Sequence, residues 1–284
     1  MSDIHNVTVL GAGVLGSQIA FQTAFKGFTV TSYDINDDAI AAAAKHFDGL
    51  VDTYKKEVAG AGDGAAEAAR ERITLTTDLG AAAADADLII EAIPEVLELK
   101  QETYRKLATL APEKTIFATN SSSLLPSDLK DSTGRPDRFL ALHFANRVWQ
   151  FNTAEVMGTA DTDPKVYQEV VTFASDIGMV PIQLHREKAG YVLNSLLIPF
   201  LNAGLELAAG GYAEPADVDK TWRIATGAPL GPFQIYDVVG LMTPYNILMH
   251  GDQGNRHLGA WLKQNYIDKG KLGMASGEGF YKYS

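Results

Sequence analysis

The chain contains no cysteine. Disulfides, thiolate nucleophiles and thiolate metal ligands are therefore excluded together. Positive charge is in short supply: 24 Lys and Arg stand against 35 Asp and Glu, a formal net charge of −11. Nucleic acid is not an expected partner for such a surface, although a local basic pocket is compatible with it. Long apolar runs are missing too. The most apolar stretch, Tyr191–Ala209, is broken by Asn194, Ser195, Pro199, Asn202 and Glu206, which suits a buried helix and not a membrane span. Met1-Ser2-Asp3-Ile4-His5 has neither a basic nor an apolar leader segment, so no membrane partner and a cytoplasmic location are expected. His5, His46, His185, His250 and His257 show no ligand spacing with one another or with carboxylates, and no metal is expected.

What is present suits a packed core: 284 residues, 46% of them hydrophobic, enough for one large domain or two unequal ones. The first half alternates β-rich and helical runs, the pattern of a parallel sheet covered by helices. Strands are predicted at Asn6–Leu10, Thr29–Tyr33, Ile73–Thr76, Leu88–Glu91, Thr115–Thr119 and Phe139–Phe144. Helices are predicted at Val14–Lys26, Asp37–Val58, Leu97–Ala111 and Pro164–Ile177, and the Gly- and Ala-rich Ala59–Ala69 reads as the turn of a helical excursion near 45–70. After Met179–Leu184 the character changes and no further strand run is evident; Gly190–Ala209, Glu214–Thr226, Thr243–Met249 and Gly259–Lys269 read as helices. The expected fold class is α/β, a Rossmann-type doubly wound sheet over residues 1–186 followed by a smaller all-α domain over 187–284.

Val7-Thr8-Val9-Leu10 runs into Gly11-Ala12-Gly13-Val14-Leu15-Gly16 and then a helix. In Gly-x-Gly-x-x-Gly the glycines allow a tight turn, close approach to a pyrophosphate, and packing of helix on strand, while the helix N-terminus offers free N–H groups to phosphate. The loop Gly11, Gly13, Val14, Leu15 and Gly16 is thus a cofactor candidate. Asp34 ends the second strand eighteen residues past Gly16; a carboxylate there binds ribose hydroxyls and repels a 2′-phosphate. The cofactor reading is NAD, with a flavin or a glycine turn of purely steric origin as the alternatives.

His143 lies at the C-terminal end of a predicted strand, the ligand edge of an open α/β sheet. If the chain folds back around Arg147–Phe151, His143 and Glu155 are equidistant from Trp149 and can stand opposite each other on paired strands. A carboxylate on one imidazole nitrogen fixes the tautomer and raises basicity at the other, as a general acid–base needs. A core histidine beside an unrelated glutamate fits the spacing equally well. Ser122, in Asn120-Ser121-Ser122-Ser123, follows a strand at the same edge, where serines also serve as turn formers and helix caps. Asn194 sits inside an apolar helix and needs a partner if buried, whether protein or ligand; a solvated face would free it of that need.

Taken in order, Gly11–Gly16, Glu91-Ala92-Ile93-Pro94-Glu95, Asn120-Ser121-Ser122-Ser123-Leu124, His143-Phe144-Ala145-Asn146, Gly190-Tyr191-Val192-Leu193-Asn194, Gly231-Pro232-Phe233 and Ser276-Gly277-Glu278-Gly279-Phe280-Tyr281 make the chain resemble the L-3-hydroxyacyl-CoA dehydrogenases along its whole length. The 3-hydroxybutyryl-CoA dehydrogenases are the nearest type. The resemblance implies NAD-dependent oxidation of a short-chain L-3-hydroxyacyl-CoA. His143 would be catalytic and paired with Glu155, and Ser122 and Asn194 would touch the substrate oxygens. Asp34, Ala92, Glu95, Lys100, Asn120 and Ser122 would line the NAD site with Asn146 near the nicotinamide. Lys55 and Lys56 would meet the CoA nucleotide, and the second domain would form a homodimer. The chain departs from the family at Ala145 and Arg147, where Phe and Pro are usual, at Ala189 and Ser195, at Met274-Ala275, and in an excursion poor in positive charge. These departures bear on the acyl group and on CoA itself. The rivals are a dehydrogenase of a free small hydroxy acid and a non-catalytic NAD-binding protein.

Overall fold

β-branched and aromatic residues suit a pleated, buried surface, and the short runs of them form strands. In the computed structural model, which describes residues 1–283, the order begins β1 (Asn6–Leu10), α1 (Val14–Phe25), β2 (Thr29–Tyr33), α2 (Asp37–Glu57), α3 (Ala65–Glu71), β3 (Ile73–Thr76) and α4 (Leu79–Ala83). It continues β4 (Leu88–Glu91), α5 (Leu97–Leu110), β5 (Ile116–Thr119), α6 (Pro126–Leu129), β6 (Phe139–Phe144), β7 (Thr153–Gly158), α7 (Pro164–Asp176) and β8 (Val180–Leu184). One eight-stranded sheet results, ordered β3-β2-β1-β4-β5-β6-β7-β8. Its first six strands are parallel; β7 runs antiparallel to β6, and β8 parallel to β7.

The chain order reverses between β1 and β4, which opens a crevice at the C-terminal ends of those strands. Helices cover both faces, so the central strands are buried on both; all six residues of β6 are buried, His143 included. Side chains alternate between two layers. Leu140, Leu142 and Phe144 join the core formed with Phe21, Phe47 and Phe173, whereas Phe139 packs with Tyr104, Leu107 and Phe117. His143 has the parity of Phe139 and Ala141.

The six predicted strands lie at or within one residue of the expected limits. β7 and β8 extend the sheet beyond them. β8 coincides with the Met179–Leu184 run after which the sequence changes character; it is an edge strand, half-buried along most of its length and carrying Pro181, which an edge tolerates. The Ala59–Ala69 segment is not simply a turn, since its second half enters α3, where Ala66 and Ala69 are buried.

The chain divides into two units, Met1–Val192 and Leu193–Ser284, six residues beyond the expected boundary at 186. Residues 185–192 stay with the first because Tyr191 is buried with Ala141 and Met157. The second unit holds α8 (Leu193–Ala209), α9 (Pro215–Thr226), α10 (Pro232–Val239), α11 (Met242–Met249) and α12 (Gln253–Asn265) around Leu201, Leu205, Phe233, Tyr236 and Leu262. α10 was not predicted, and the helix expected at Gly259–Lys269 is corrected to α12. Asp252 caps it by accepting from the Asn255 N–H, which fixes a start the nearby glycines concealed. Among the described residues no helix is long and apolar enough to cross a membrane.

Candidate active site

The turn after β1 is built by close approach. Gly11 has φ 90°, and a Cβ there would lie 2.6 Å from the Ala92 carbonyl oxygen; one on Gly16 would lie 1.8 Å from the Gly11 oxygen. Side chains at either position would push the loop off the sheet. Around Gly13, by contrast, a Cβ would meet nothing within 4 Å. Gly13 begins α1 without a side-chain cap, and the first turn has no acidic residue. Open space beside uncapped N–H groups is what a pyrophosphate requires. The Asp34 carboxylate accepts from the Ala12 N–H at 2.8 Å and the Ile35 N–H at 2.7 Å. It steadies the loop and keeps lone pairs for ribose hydroxyls. These residues fit a bound NAD.

His143 and Glu155 are direct cross-strand partners in the antiparallel β6–β7 pair. Imidazole Nδ1 lies 3.0 Å from Glu155 Oε2, and both side chains are buried. Nε2 lies 3.1 Å from the exposed Ser122 Oγ. With a carboxylate facing Nδ1, that nitrogen carries the proton and Nε2 becomes the exchanging atom. The ring also stacks on Tyr191, 4.4 Å between centroids and 10° between planes. Sequence reasoning missed this contact because no local periodicity links positions 143 and 191.

Glu95 organises the serine loop. Its Oε1 accepts from the Ser121 hydroxyl, from the Ser122, Ser123 and Leu124 N–H groups at 3.1, 2.9 and 3.4 Å, and from the Ser123 hydroxyl at 2.8 Å. Burial works to raise its pKa, but the Ser121 and Ser123 hydrogen bonds and the Lys100 charge outweigh it and hold the carboxyl at about 2. Ser122–His143–Glu155 has the connectivity of a hydrolase triad. A hydrolase needs N–H donors for an oxyanion, and here the N–H groups of Ser122 and Ser123 already serve a carboxylate. The arrangement suits proton exchange at Nε2 beside a hydroxyl anchor.

The remaining expected residues fall in different places. Lys100, expected along the NAD site, is instead 1% exposed and paired with fully buried Glu91 at 2.5 Å and with Glu95 at 3.3 Å. Its ammonium also donates to the Ile93 carbonyl at 3.3 Å. Asn120 spends its carbonyl oxygen on the Phe144 N–H at 2.9 Å, tying the serine loop to β6. Asn146 is exposed after β6. Asn194 lies in the first turn of α8, in the other unit. Lys55 is paired with Glu67 at 2.5 Å, so it must leave that carboxylate to meet a phosphate; Lys56 is exposed. Arg147 has φ 61°, which a proline ring forbids. Its N–H donates to Gln18 Oε1 at 2.6 Å and its guanidinium pairs with Glu57 at the end of α2 at 2.8 Å. The post-β6 loop therefore follows a path that the usual proline could not take.

Two family profiles cover the chain: the NAD binding domain of 3-hydroxyacyl-CoA dehydrogenase over residues 6–188 and the C-terminal domain of the same enzyme over 190–283. The chain belongs to the 3-hydroxyacyl-CoA dehydrogenase family. It is an NAD-dependent oxidoreductase by that membership. The mitochondrial hydroxyacyl-coenzyme A dehydrogenase of Mus musculus is 35% identical, with 99% of this chain and 91% of that protein aligned. A solved diketoreductase, described for substrate-directed dual catalysis of dicarbonyl compounds, is 66% identical with TM-score 0.97 over all of both chains. The (S)-3-hydroxybutyryl-CoA dehydrogenase of Ralstonia eutropha is 29% identical with TM-score 0.83, covering 99% of this chain and 100% of that one.

Proposed function

We propose that this family member interconverts a short-chain L-3-hydroxyacyl-CoA and its 3-ketoacyl-CoA, with His143 as the proton-transferring group. The observation that carries the proposal is the position of His143 between a buried carboxylate and an exposed hydroxyl, 3.0 and 3.1 Å away. In oxidation, neutral Nε2 takes the substrate hydroxyl proton, and Glu155 stabilises the resulting imidazolium. In reduction, the imidazolium returns that proton to the carbonyl oxygen. Ser122 and Asn194 hold substrate oxygens; Asn146 stands toward the nicotinamide end. When bound, NAD supplies the hydride acceptor and NADH the donor. Gly11, Gly13, Val14, Leu15, Gly16, Asp34, Ala92, Glu95 and Asn120 form or support the dinucleotide site, and Lys55 and Lys56 are the cations available to the CoA nucleotide.

The second unit leaves Leu196, Tyr212 and Ile224 at 69, 80 and 78% exposure. Apolar surface of that kind supports a homodimer formed through residues 187–284. A cytoplasmic location belongs to the same proposal.

A second reading has its own support: reduction of free dicarbonyl compounds. The Lys55 charge is already answered by Glu67, that of Arg70 by Asp48, and the 66% identical relative is a diketoreductase. NADH oxidation with acetoacetyl-CoA beside free acetoacetate and a diketo ester separates the two. The proposal expects kcat/KM at least about tenfold higher for the thioester, about 1.4 kcal/mol. The opposite ranking would install the second reading, and no turnover of any of the three would overturn both.

A further inference from the structure

Two consecutive residues between β8 and α8 have left-handed backbones, Gly190 at φ 80° and Tyr191 at φ 51°. Glycine adopts this freely, but a tyrosine is strained there, and such strain persists only where surrounding contacts enforce it. Several of those contacts are with the candidate site. The Tyr191 ring, 1% exposed, lies flat on the imidazole at 4.4 Å and 10°. Its hydroxyl donates to the Ser121 carbonyl at 2.8 Å, and the next N–H, of Val192, donates to Glu155 Oε1 at 2.9 Å. One turn thus grips the histidine face, the second oxygen of its carboxylate and the serine loop.

We infer that Tyr191 is a positioning residue for the reaction: its stacked ring sets the plane of the His143 imidazole and so aims Nε2. The inference rests on His143 as the acid–base proposed above. Glu155 and Ser122 meet the imidazole at its two nitrogens, an axis about which the ring can still tilt; a parallel neighbour removes that motion. Tyr191 is not itself a proton donor to substrate. Burial, and then the charges of Glu95, Glu155 and Glu91, push its phenol well above the ordinary tyrosine range. The hydroxyl serves the Ser121 carbonyl, and the ring acts on His143.

Three variants test this. Tyr191→Phe keeps the ring, whereas Tyr191→Leu and Tyr191→Met keep apolar bulk without a plane. Steady-state kinetics with NADH and acetoacetyl-CoA, the solvent deuterium isotope effect on kcat and the thermal midpoint are measured for each, with His143→Gln as control. Tyr191→Phe is expected within about threefold of the parent kcat. The Leu and Met forms are expected to lose about 10–100-fold in kcat, the scale of an ångström-level misplacement. Their KM for NADH should hold within about twofold, and their isotope effect should rise as proton transfer slows. If the Leu form does not fold, the Met form carries the comparison. The inference is overturned if the Met form keeps its kcat within threefold, if Phe is as damaging as Met, or if activity falls only with the thermal midpoint at an unchanged isotope effect. An active His143→Gln would instead overturn the acid–base reading.

Discussion

Nδ1 of His143 faces Glu155 at 3.0 Å and Nε2 faces Ser122 at 3.1 Å, so the two nitrogens cannot exchange roles without losing a contact. On the proposed mechanism Glu155 matters most when the ring is charged. Glu155→Gln should therefore lower kcat by ~10²-fold or more in reduction and oxidation alike, because both directions cross the same transition state. Rates in both directions check this; a loss under about tenfold in either would contradict it. Asp34 offers a second test at this scale. On the proposed dinucleotide site a 2′-phosphate would bring like charge against its carboxylate, worth several kcal/mol in a partly shielded site. Asp34→Asn keeps an acceptor for the Ala12 N–H but removes the charge. The ratio of kcat/KM for NADH over NADPH should fall at least about tenfold, and an unchanged ratio would show that Asp34 does not select the cofactor.

The β6–β7 hairpin brings His143 and Glu155 into register. That much was legible in the sequence, because residues equidistant from a reversal pair across an antiparallel ladder. The glycine loop was legible for a similar reason: strand, turn and helix are contiguous. The role of Glu95 as acceptor for the whole Ser121–Leu124 loop was not legible, since its partners lie 26 to 29 residues downstream and only the sheet brings them together. The burial of Lys100 against Glu91 was hidden too, because a lysine on an amphipathic helix ordinarily faces water. The Glu95 contacts carry an acid signature. A carboxyl held at about 2 against an ordinary 4.5 contributes stability that is fully present above about pH 4.5 and is lost as pH falls toward 2. Urea unfolding of the parent and Glu95→Gln between pH 6 and pH 3 should show the parent's advantage shrinking below about pH 4.5. A gap that stays constant would mean that the carboxylate charge contributes nothing.

Across the whole molecule, an α/β unit carrying the glycine loop and the His–Glu pair precedes a helical unit with large exposed apolar side chains. The change from strand-bearing to purely helical sequence put the boundary at 186, and the observed division lies after Val192 because Tyr191 is buried in the first unit. Light scattering at micromolar concentration should give twice the mass of a single chain; a monomer would remove the dimer proposal. The account as a whole depends on one residue joining a dinucleotide site to proton transfer. Its most direct test is NADH-dependent reduction of acetoacetyl-CoA by His143→Gln, alongside NADH binding by fluorescence. The account predicts NADH affinity within about twofold of the parent, because the dinucleotide rests on Gly11–Gly16 and Asp34, and turnover lower by ~10²–10⁴-fold. A folded His143→Gln protein that binds NADH and reduces acetoacetyl-CoA at near the parent rate would contradict it.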